Sequence, residues 1–244
     1  MSAADAVLWH DLECGGYAED LPLWRALADD EAGDDPVVDI GAGTGRVALD
    51  LAAHGHDVVA VDADALLLGA LRDRAAAAGV AVETVVADAR RLDLGDRRFG
   101  LVIVPMQTVQ LFGAEGRLGF LARARAHLRP GGVLALAIAD ARDGVTDERT
   151  EPPLPDLREV GGTLYSSRPV ALRDEGFGVS IERLREVVTR SGERTTSTDV
   201  VRLDHLDPAT LEAEARDAGL RPLPRRVVPE TDEYVGSAVV VLGG

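Results

Sequence analysis

The sequence predicts a doubly wound α/β fold, in which helices cover both faces of a mostly parallel sheet. Apolar runs predict strands near residues 36–40, 57–61, 81–86, 99–104 and 132–139, and helical patterns lie near 45–54, 64–78 and 115–128. Such alternation is typical of a parallel sheet. The first two runs end in acids, Asp39 and Asp62, and a glycine-rich turn follows Asp39. Because ligands of these folds bind at the carboxyl ends of the strands, both acids are predicted to lie at a binding site.

The turn Gly41-Ala42-Gly43-Thr44-Gly45 predicts a close approach between the backbone and a ligand. Glycine has no Cβ, so it can adopt positive φ and leave room for a bound group. The helix that begins near Gly45 points its free N–H groups at the same place. Asp62 follows the first glycine by about 20 residues, the spacing at which a carboxylate meets ribose hydroxyls in nucleotide-binding folds. The first two strands therefore predict half of a nucleoside site.

The pattern changes on either side of this core. Residues 5–30 predict helices that are broken at Gly15-Gly16, with Trp9, Tyr17 and Trp24 among them. After Asp140 the pattern predicts a loop over 147–155, extended segments over 163–172, 177–189 and 194–203, and a closing strand pair over 225–228 and 233–242. The three extended segments predict an antiparallel meander. Asp207-Pro208 predicts the start of the last helix, and Gly219 its end.

Composition limits the classes of protein. The chain has 244 residues and a formal net charge of −16, with 46% hydrophobic residues. No apolar run of membrane-spanning length is present, and Met1–Asp5 do not begin a secretory signal, so we expect a cytoplasmic protein without membrane contact. The single cysteine, Cys14, excludes an internal disulfide, and the five histidines lack paired ligand spacing, so no metal site is expected. The negative charge disfavours a nucleic-acid partner.

Five motifs occur in the order found in one large family. They are Asp39-Ile40-Gly41-Ala42-Gly43-Thr44-Gly45, Val58-Val59-Ala60-Val61-Asp62, Ala87-Asp88-Ala89, Phe99-Gly100-Leu101-Val102-Ile103-Val104 and Leu128-Arg129-Pro130-Gly131-Gly132-Val133-Leu134. Over residues 36–140 the chain thereby resembles the class I S-adenosylmethionine-dependent methyltransferases. The resemblance implies a Rossmann-like sheet of seven strands, the last antiparallel, with the meander inserted before the last helix. It also implies S-adenosylmethionine as cofactor, S-adenosylhomocysteine as product, and a small-molecule acceptor.

The resemblance implies a set of cofactor-binding residues: Asp39, Gly41, Ala42, Gly43, Asp62, Ala63, Asp88, Ala89 and Pro105. Asp62 is expected to accept from both ribose hydroxyls, and Asp88 from the adenine amino group beside the Ala89 N–H. Asp39 would orient the turn, reach the cofactor's amino group through water, or cap local backbone N–H groups. Each acid also has a purely structural interpretation as a cap or a solvated turn residue.

Acceptor contacts are less well defined. Tyr17, Gln107 and Gln110 are candidates, although the glutamines are equally consistent with the polar start of a helix. No catalytic residue is assigned, because positioning alone supplies much of the rate of an in-line displacement. His10, Tyr17, His127 and Tyr165 are possible bases, and His127 is more simply interpreted as a surface residue.

We interpret the chain as a single domain with four parts: a helical lid over 1–30, the cofactor core over 36–140, an inserted cap over 145–205, and the closing helix and strand pair over 206–244. Methyl transfer to O, N or C of a small molecule or natural-product scaffold is the predicted activity. An NAD-dependent oxidoreductase is the alternative, but Arg46 stands where its fingerprint needs a third glycine. An aminopropyltransferase and a degenerate cofactor-binding protein also remain alternatives, and a homodimer is left open.

Overall fold

The computed structural model describes residues 3–140, 154–231 and 234–244. Most of the predicted loop 147–155 and the start of the predicted strand 233–242 lie outside these ranges. The chain divides into two compact units, one formed by Met1–Gly16 with Ala141–His205 and the other by Tyr17–Asp140 with Leu206–Gly244. We call them the cap unit and the sheet unit.

The helices and strands follow the predicted order. The helices are α1 Ala3–Cys14, α2 Leu21–Leu27, α3 Arg46–Ala53, α4 Ala65–Ala78, α5 Gly113–His127 and α6 Pro208–Asp217. The strands are β1 Val37–Ile40, β2 Val58–Asp62, β3 Glu83–Val86, β4 Phe99–Val104, β5 Leu128–Ile138, β6 Asp156–Val160, β7 Thr163–Asp174, β8 Gly178–Val188, β9 Arg194–Asp204, β10 Arg221–Pro222, β11 Arg226–Val228 and β12 Ser237–Gly243.

The sheet unit contains the predicted doubly wound sheet. Its strands follow the order β10-β12-β5-β4-β1-β2-β3, with β11 paired to β12 outside this path. Strands β1 to β5 are parallel, and β12 is antiparallel to β5. The expected seven strands are therefore eight, because two-residue β10 and three-residue β11 each pair with a different part of β12. No apolar run long enough to predict a separate strand marks β10.

Burial on both faces explains the uninterrupted apolar runs of the central strands. Every residue of β1 and β4 is buried, as expected for parallel strands covered by helices on both sides. One face packs Val38 and Val102 with Phe120 of α5, and the other packs Val37 and Leu101 with residues that include Leu68 of α4. These two cores fix the positions at which the strands end.

Local signals set the helix boundaries in this unit. The Asp64 carboxylate accepts from the Leu66 N–H at 2.8 Å and caps α4, which ends before Gly79 in the left-handed conformation. Asp207 caps α6 in the same way, with Pro208 in its first turn. Both boundaries follow the usual chemistry of helix ends.

The cap unit packs α1 against the four-stranded antiparallel sheet β6-β7-β8-β9. Trp9 meets the Tyr165 ring edge-on at 5.5 Å, and the Glu13 carboxylate accepts from the Ser167 hydroxyl at 2.6 Å and from the Arg185 guanidinium at 2.7 and 2.8 Å. The three predicted segments of the meander are confirmed. Strand β6 was not predicted, because all five of its residues are exposed and they include two acids and an arginine. The predicted lid is divided, since Tyr17 and Trp24 belong to the sheet unit.

Candidate functional site

Four of the predicted site residues lie where neighbouring parallel strands end. Asp39 is in β1 and Asp62 is the last residue of β2, while Asp88 and Pro105 follow β3 and β4. The register pairs Ile40 with Val61 and Asp62 with Val86, so these ends lie at one edge of the sheet. This is the edge at which open α/β sheets bind their ligands.

The glycine turn after β1 needs its glycines. Gly41, Gly43 and Gly45 have φ values of 72°, 54° and 96°, which disfavour any residue with a Cβ. A Cβ at Gly41 would lie 2.5 Å from Cγ2 of Thr108, and one at Gly45 would lie 2.7 Å from Cγ of Leu71. The turn therefore packs tightly against Thr108 and Leu71. Its last residue, Gly45, directly precedes α3.

Asp62 joins this turn to the end of β2. Its Oδ2 accepts from the Gly43 N–H and its Oδ1 from the Asp64 N–H, both at 2.8 Å. A carboxylate offers about four acceptor positions, so each oxygen can still accept one more hydrogen bond. Asp62 thus has a structural role in the turn and retains the capacity to bind a pair of hydroxyls.

Asp39 is the most unusual charged group of the site. Its side chain is 1% exposed, and among the described residues neither carboxylate oxygen has a hydrogen bond of good geometry. Burial raises its pKa to about 7, Asp62 contributes to the increase, and Arg46 and the Ala48 N–H oppose it. Since an unpaired buried carboxylate is costly, this position suits a group that is completed by a bound cation or donor.

Arg46 and Asp20 form a buried ion pair beside the turn. Arg46 Nη2 donates to Asp20 Oδ2 at 2.8 Å, and Nη1 donates to the Tyr17 carbonyl at 2.9 Å. Trp24 Nε1 also donates to Asp20, at 2.7 Å. The residue that replaces the third dinucleotide glycine is therefore held by the segment just before α2. Asp20 was missed by the sequence analysis, because no local pattern links it to a residue 26 positions away.

Tyr17 lies against this pair. The Arg46 guanidinium is 5.1 Å from its ring centroid, and the Tyr234 ring is 4.9 Å away. Burial and the nearby Asp20 raise the pKa of Tyr17 to about 12, although Arg46 and the Ser237 hydroxyl oppose the increase. Tyr17 is consequently a neutral phenol at physiological pH and can donate a hydrogen bond, while its role as a base stays a prediction.

Asp88 is paired with a neighbouring arginine. Arg90 Nη2 donates to Asp88 Oδ2 at 2.7 Å and Nε donates to Oδ1 at 2.9 Å, while the Arg90 N–H donates to Oδ1 at 3.0 Å. Hydrogen bonding from Arg90 lowers the pKa of Asp88. Arg90 Nε also donates to Oδ2 at 3.1 Å, so both oxygens of Asp88 are engaged by Arg90. Its expected contact with adenine stays a prediction.

The residues after β4 differ from expectation. Gln110 is 1% exposed, and its amide forms two reciprocal 3.0 Å hydrogen bonds with the N–H and carbonyl of Ala139. The glutamine thus ties the end of β5 to this loop, and we no longer treat it as an acceptor contact. Gln107 precedes the short 3₁₀ turn Thr108–Leu111. Met106 has φ of 53°, an uncommon value for a residue with a Cβ, directly after Pro105.

Two of the remaining candidate bases have structural roles. His127 is 5% exposed rather than on the surface, and its Nε2 accepts from the Leu94 N–H at 3.1 Å. Tyr165 packs on Trp9 in the cap unit.

The three predicted alanines lie next to the glycine turn and the acids. Ala42 follows Gly41, Ala63 follows Asp62, and Ala89 begins the short 3₁₀ turn that Asp88 caps. A cavity of about 510 Å³ lies elsewhere, between α4 and the opposite ends of β1 to β3.

Comparison with known families identifies the segment that carries the site. Residues 37–132 match the family model described as a methyltransferase domain. The matched segment spans the glycine turn, Asp62 and Asp88, and the sheet that contains it has the Rossmann-like methyltransferase fold. No curated protein matches the chain in sequence.

Solved structures share this fold over nearly the whole chain. One is the SAM-bound amino pentose methyltransferase CalS10 of Micromonospora echinaspora, 21% identical over 100% of this chain and 97% of its own, with a TM-score of 0.68. Another is the sugar N-methyltransferase KedS8 of Streptoalloteichus, 19% identical over 96% and 91%, with a TM-score of 0.74. A third is the glycopeptide N-methyltransferase MtfA with S-adenosylhomocysteine, 21% identical over 93% and 88%, with a TM-score of 0.62.

Proposed function

We propose that this protein transfers the methyl group of S-adenosylmethionine to a nitrogen, oxygen or carbon atom of a small molecule. The observation that carries the proposal is the buried carboxylate of Asp39 beside the glycine turn, which has no hydrogen bond of good geometry among the described residues, with Asp62 at the end of the next strand. The match of residues 37–132 to a methyltransferase domain supports the same activity.

The residues present fit this cofactor. S-Adenosylmethionine carries an ammonium group, two ribose hydroxyls and a charged sulfonium, and the site offers the buried carboxyl group of Asp39, the Asp62 carboxylate with spare acceptor positions and a glycine turn. Asp39 would face the positive charge, directly or through water. Asp62 would hold the ribose, and Asp88 would accept from the adenine amino group. The spare acceptor position on each Asp62 oxygen accounts for both hydroxyls without breaking the turn.

When bound, this cofactor supplies a methyl carbon that is already activated by its positively charged sulfur. What the protein must add is the position of the acceptor, and effective-molarity estimates give positioning about 7–11 kcal/mol of the barrier. Because its pKa is raised, Tyr17 stays protonated at physiological pH, so it would act as a hydrogen-bond donor and the phenolate needed for a base is scarcely populated. An amine acceptor needs only to arrive deprotonated, so the reaction does not require a dedicated base.

The acceptor class follows from charge and from the structural relatives. A chain with a net charge of −16 disfavours polyanions. CalS10, KedS8 and MtfA are described as acting on an amino pentose, a sugar nitrogen and a glycopeptide nitrogen. An amino group on a sugar or peptide scaffold is therefore the first acceptor class to test, and we propose that the cap unit supplies acceptor specificity.

Calorimetry tests the cofactor assignment before any acceptor is known. The protein should bind S-adenosylhomocysteine and should not bind NADH, because Arg46 takes the place of the glycine that a dinucleotide needs. Binding of NADH in the absence of S-adenosylhomocysteine binding would overturn the proposal. Methyl transfer is then measured with labelled S-adenosylmethionine on a panel of amino sugars, and binding of the cofactor without turnover on any acceptor would favour a degenerate relative.

A further inference from the structure

Asp39 is enclosed by apolar residues of the sheet unit. Its register partners on the neighbouring strands are Ala60 of β2 and Ile103 of β4, and both are fully buried. Because successive residues of a strand point to opposite faces, the Asp39 side chain points to the same face as Val37, which belongs to the core that includes Ala48 of α3. Asp39 is therefore held where a carboxylate has lost the solvation that water would provide.

The charged side chains that act most strongly on Asp39 do not neutralise it. They come from three elements: Arg46 of α3, Asp62 of β2, and Asp20 just before α2. Arg46 is the cation of this set, and its guanidinium is already paired with Asp20, whose side chain is 3% exposed. Asp62 and Asp20 carry negative charge, and like charges disfavour a further anion beside them. The surroundings of Asp39 therefore favour its neutral form.

Near neutral pH the Asp39 carboxyl group is only partly ionised. Burial is the largest influence and raises its pKa to about 7, while Asp62 adds to the increase and Arg46 opposes it. A group with this pKa is protonated in about nine of ten molecules at pH 6 and in about half of them at pH 7. A positive group that arrives beside Asp39 favours the charged form, so it lowers the pKa and drives the proton into the solvent.

We propose that S-adenosylmethionine and S-adenosylhomocysteine bind with release of the proton that Asp39 holds in the ligand-free protein. This coupling rests on the proposed function, in which the ammonium group common to both molecules faces Asp39. The O–H bond of the Asp39 carboxyl group breaks, its electron pair stays on the carboxylate, and the proton passes to the buffer. Cofactor affinity is thereby coupled to pH through one buried side chain, and the coupling is reciprocal.

Calorimetry of S-adenosylhomocysteine binding tests the coupling. The heat of binding is measured in pairs of buffers whose ionisation enthalpies differ, phosphate and bis-tris at about pH 6 and phosphate and tris at about pH 8, and the difference gives the number of protons released. The wild type should release about 0.9 proton per bound ligand at pH 6 and about 0.1 at pH 8. Because the ionised fraction is the one that binds the ammonium group well, affinity should rise by roughly 10–50-fold from pH 5 to pH 7 and by about 2-fold from pH 7 to pH 8.

Two variants locate the released proton. Asp39→Asn should bind more weakly at pH 7, release no proton at pH 6, and change its affinity by less than about 3-fold between pH 5 and pH 7. Asp57→Asn is the matched control, because it removes a carboxyl group from an exposed position, and its proton release should equal that of the wild type. Circular dichroism should show that both variants are folded.

Asp20→Asn tests the arrangement of charges around Asp39. It removes a nearby anion and leaves the charge of Arg46 less neutralised, so Asp39 should ionise at lower pH and the protein should release roughly half as many protons at pH 6 as the wild type. A release equal to or greater than that of the wild type would overturn the electrostatic role given to Asp20 and Arg46.

The measurements on the wild type separate the coupling from the cofactor assignment. Binding of S-adenosylhomocysteine without proton release at pH 6, or with a release that Asp39→Asn retains, would overturn the coupling and leave the cofactor assignment intact. Absence of S-adenosylhomocysteine binding at every pH from 5 to 8 would overturn the proposed function, and the coupling with it.

Discussion

Replacement of Asp39 by Asn should stabilise the ligand-free protein at neutral and alkaline pH much more than in acid. Burial raises the pKa of Asp39 to about 7 from an ordinary value of 3.8. A carboxyl group with a raised pKa in the folded state stabilises the fold while it stays protonated, and this contribution is lost as the pH rises from the unfolded pKa through the folded one. Above about pH 7 the folded protein carries the full cost of the buried charge.

The magnitude follows from the two pKa values. Their difference corresponds to about 4 kcal/mol at most, and linkage places about 2 kcal/mol of this already below pH 5. Between pH 5 and pH 8.5 the advantage of Asn over Asp should therefore grow by roughly 2–3 kcal/mol. For a protein of this size, the Tm difference between Asp39→Asn and the wild type should therefore increase by about 5–10 °C over this pH range.

Thermal or urea unfolding of both proteins across this pH range measures the effect. The comparison between two pH values cancels any pH-independent cost of burying an amide at this position. Asp57→Asn is the matched control, because it removes the same charge from an exposed position just before β2, and the Asp39→Asn difference in Tm should vary more with pH than the Asp57→Asn difference. If the Asp39→Asn and wild-type curves run parallel from pH 5 to 8.5, the assignment of a raised pKa is wrong.

The same variant should bind S-adenosylhomocysteine more weakly, which distinguishes a functional charge from a neutral packing position. A buried charge that lowers the stability of the ligand-free protein is expected where it contributes to ligand binding. Equal affinity of Asp39→Asn and wild type would show that the carboxylate does not face the positive group of the cofactor.

Three further outcomes are expected. Asp62→Ala should weaken S-adenosylhomocysteine binding by about one to three orders of magnitude in calorimetry, since two charge-assisted hydrogen bonds are lost. It should also lower Tm, because the Gly43 and Asp64 N–H groups lose their acceptor. Unchanged affinity would refute the ribose contact. Arg90→Ala should change this affinity more than Arg91→Ala, because only Arg90 is paired with Asp88, and equal effects would separate Asp88 from the adenine site. Deletion of residues 1–16 should impair turnover more than cofactor binding, because it removes α1 from the cap unit and leaves the sheet unit intact; normal turnover on the true acceptor would contradict this.

The alternation of apolar runs was sufficient to predict the doubly wound sheet, because parallel strands covered on both faces need apolar residues throughout. The glycine turn could also be predicted from the sequence, because its positive φ values disfavour residues with a Cβ. Strand β6 could not be predicted in this way. Its charged residues lie in an exposed strand that is specified by pairing with β7 rather than by burial.

The sequence by itself thus determined the fold class, the strand ends and the acids that follow them, because these depend on local pattern and on composition. Only the tertiary structure decided which polar side chains already have hydrogen-bond partners within the protein and which can still bind a ligand. It joined Gln110 to Ala139 by hydrogen bonds, paired Arg46 with Asp20, and buried Asp39 with no hydrogen bond of good geometry among the described residues. Hydrogen bonds between residues about 20 to 30 positions apart depend on where the packed elements place each side chain, and neither periodicity nor propensity carries that information.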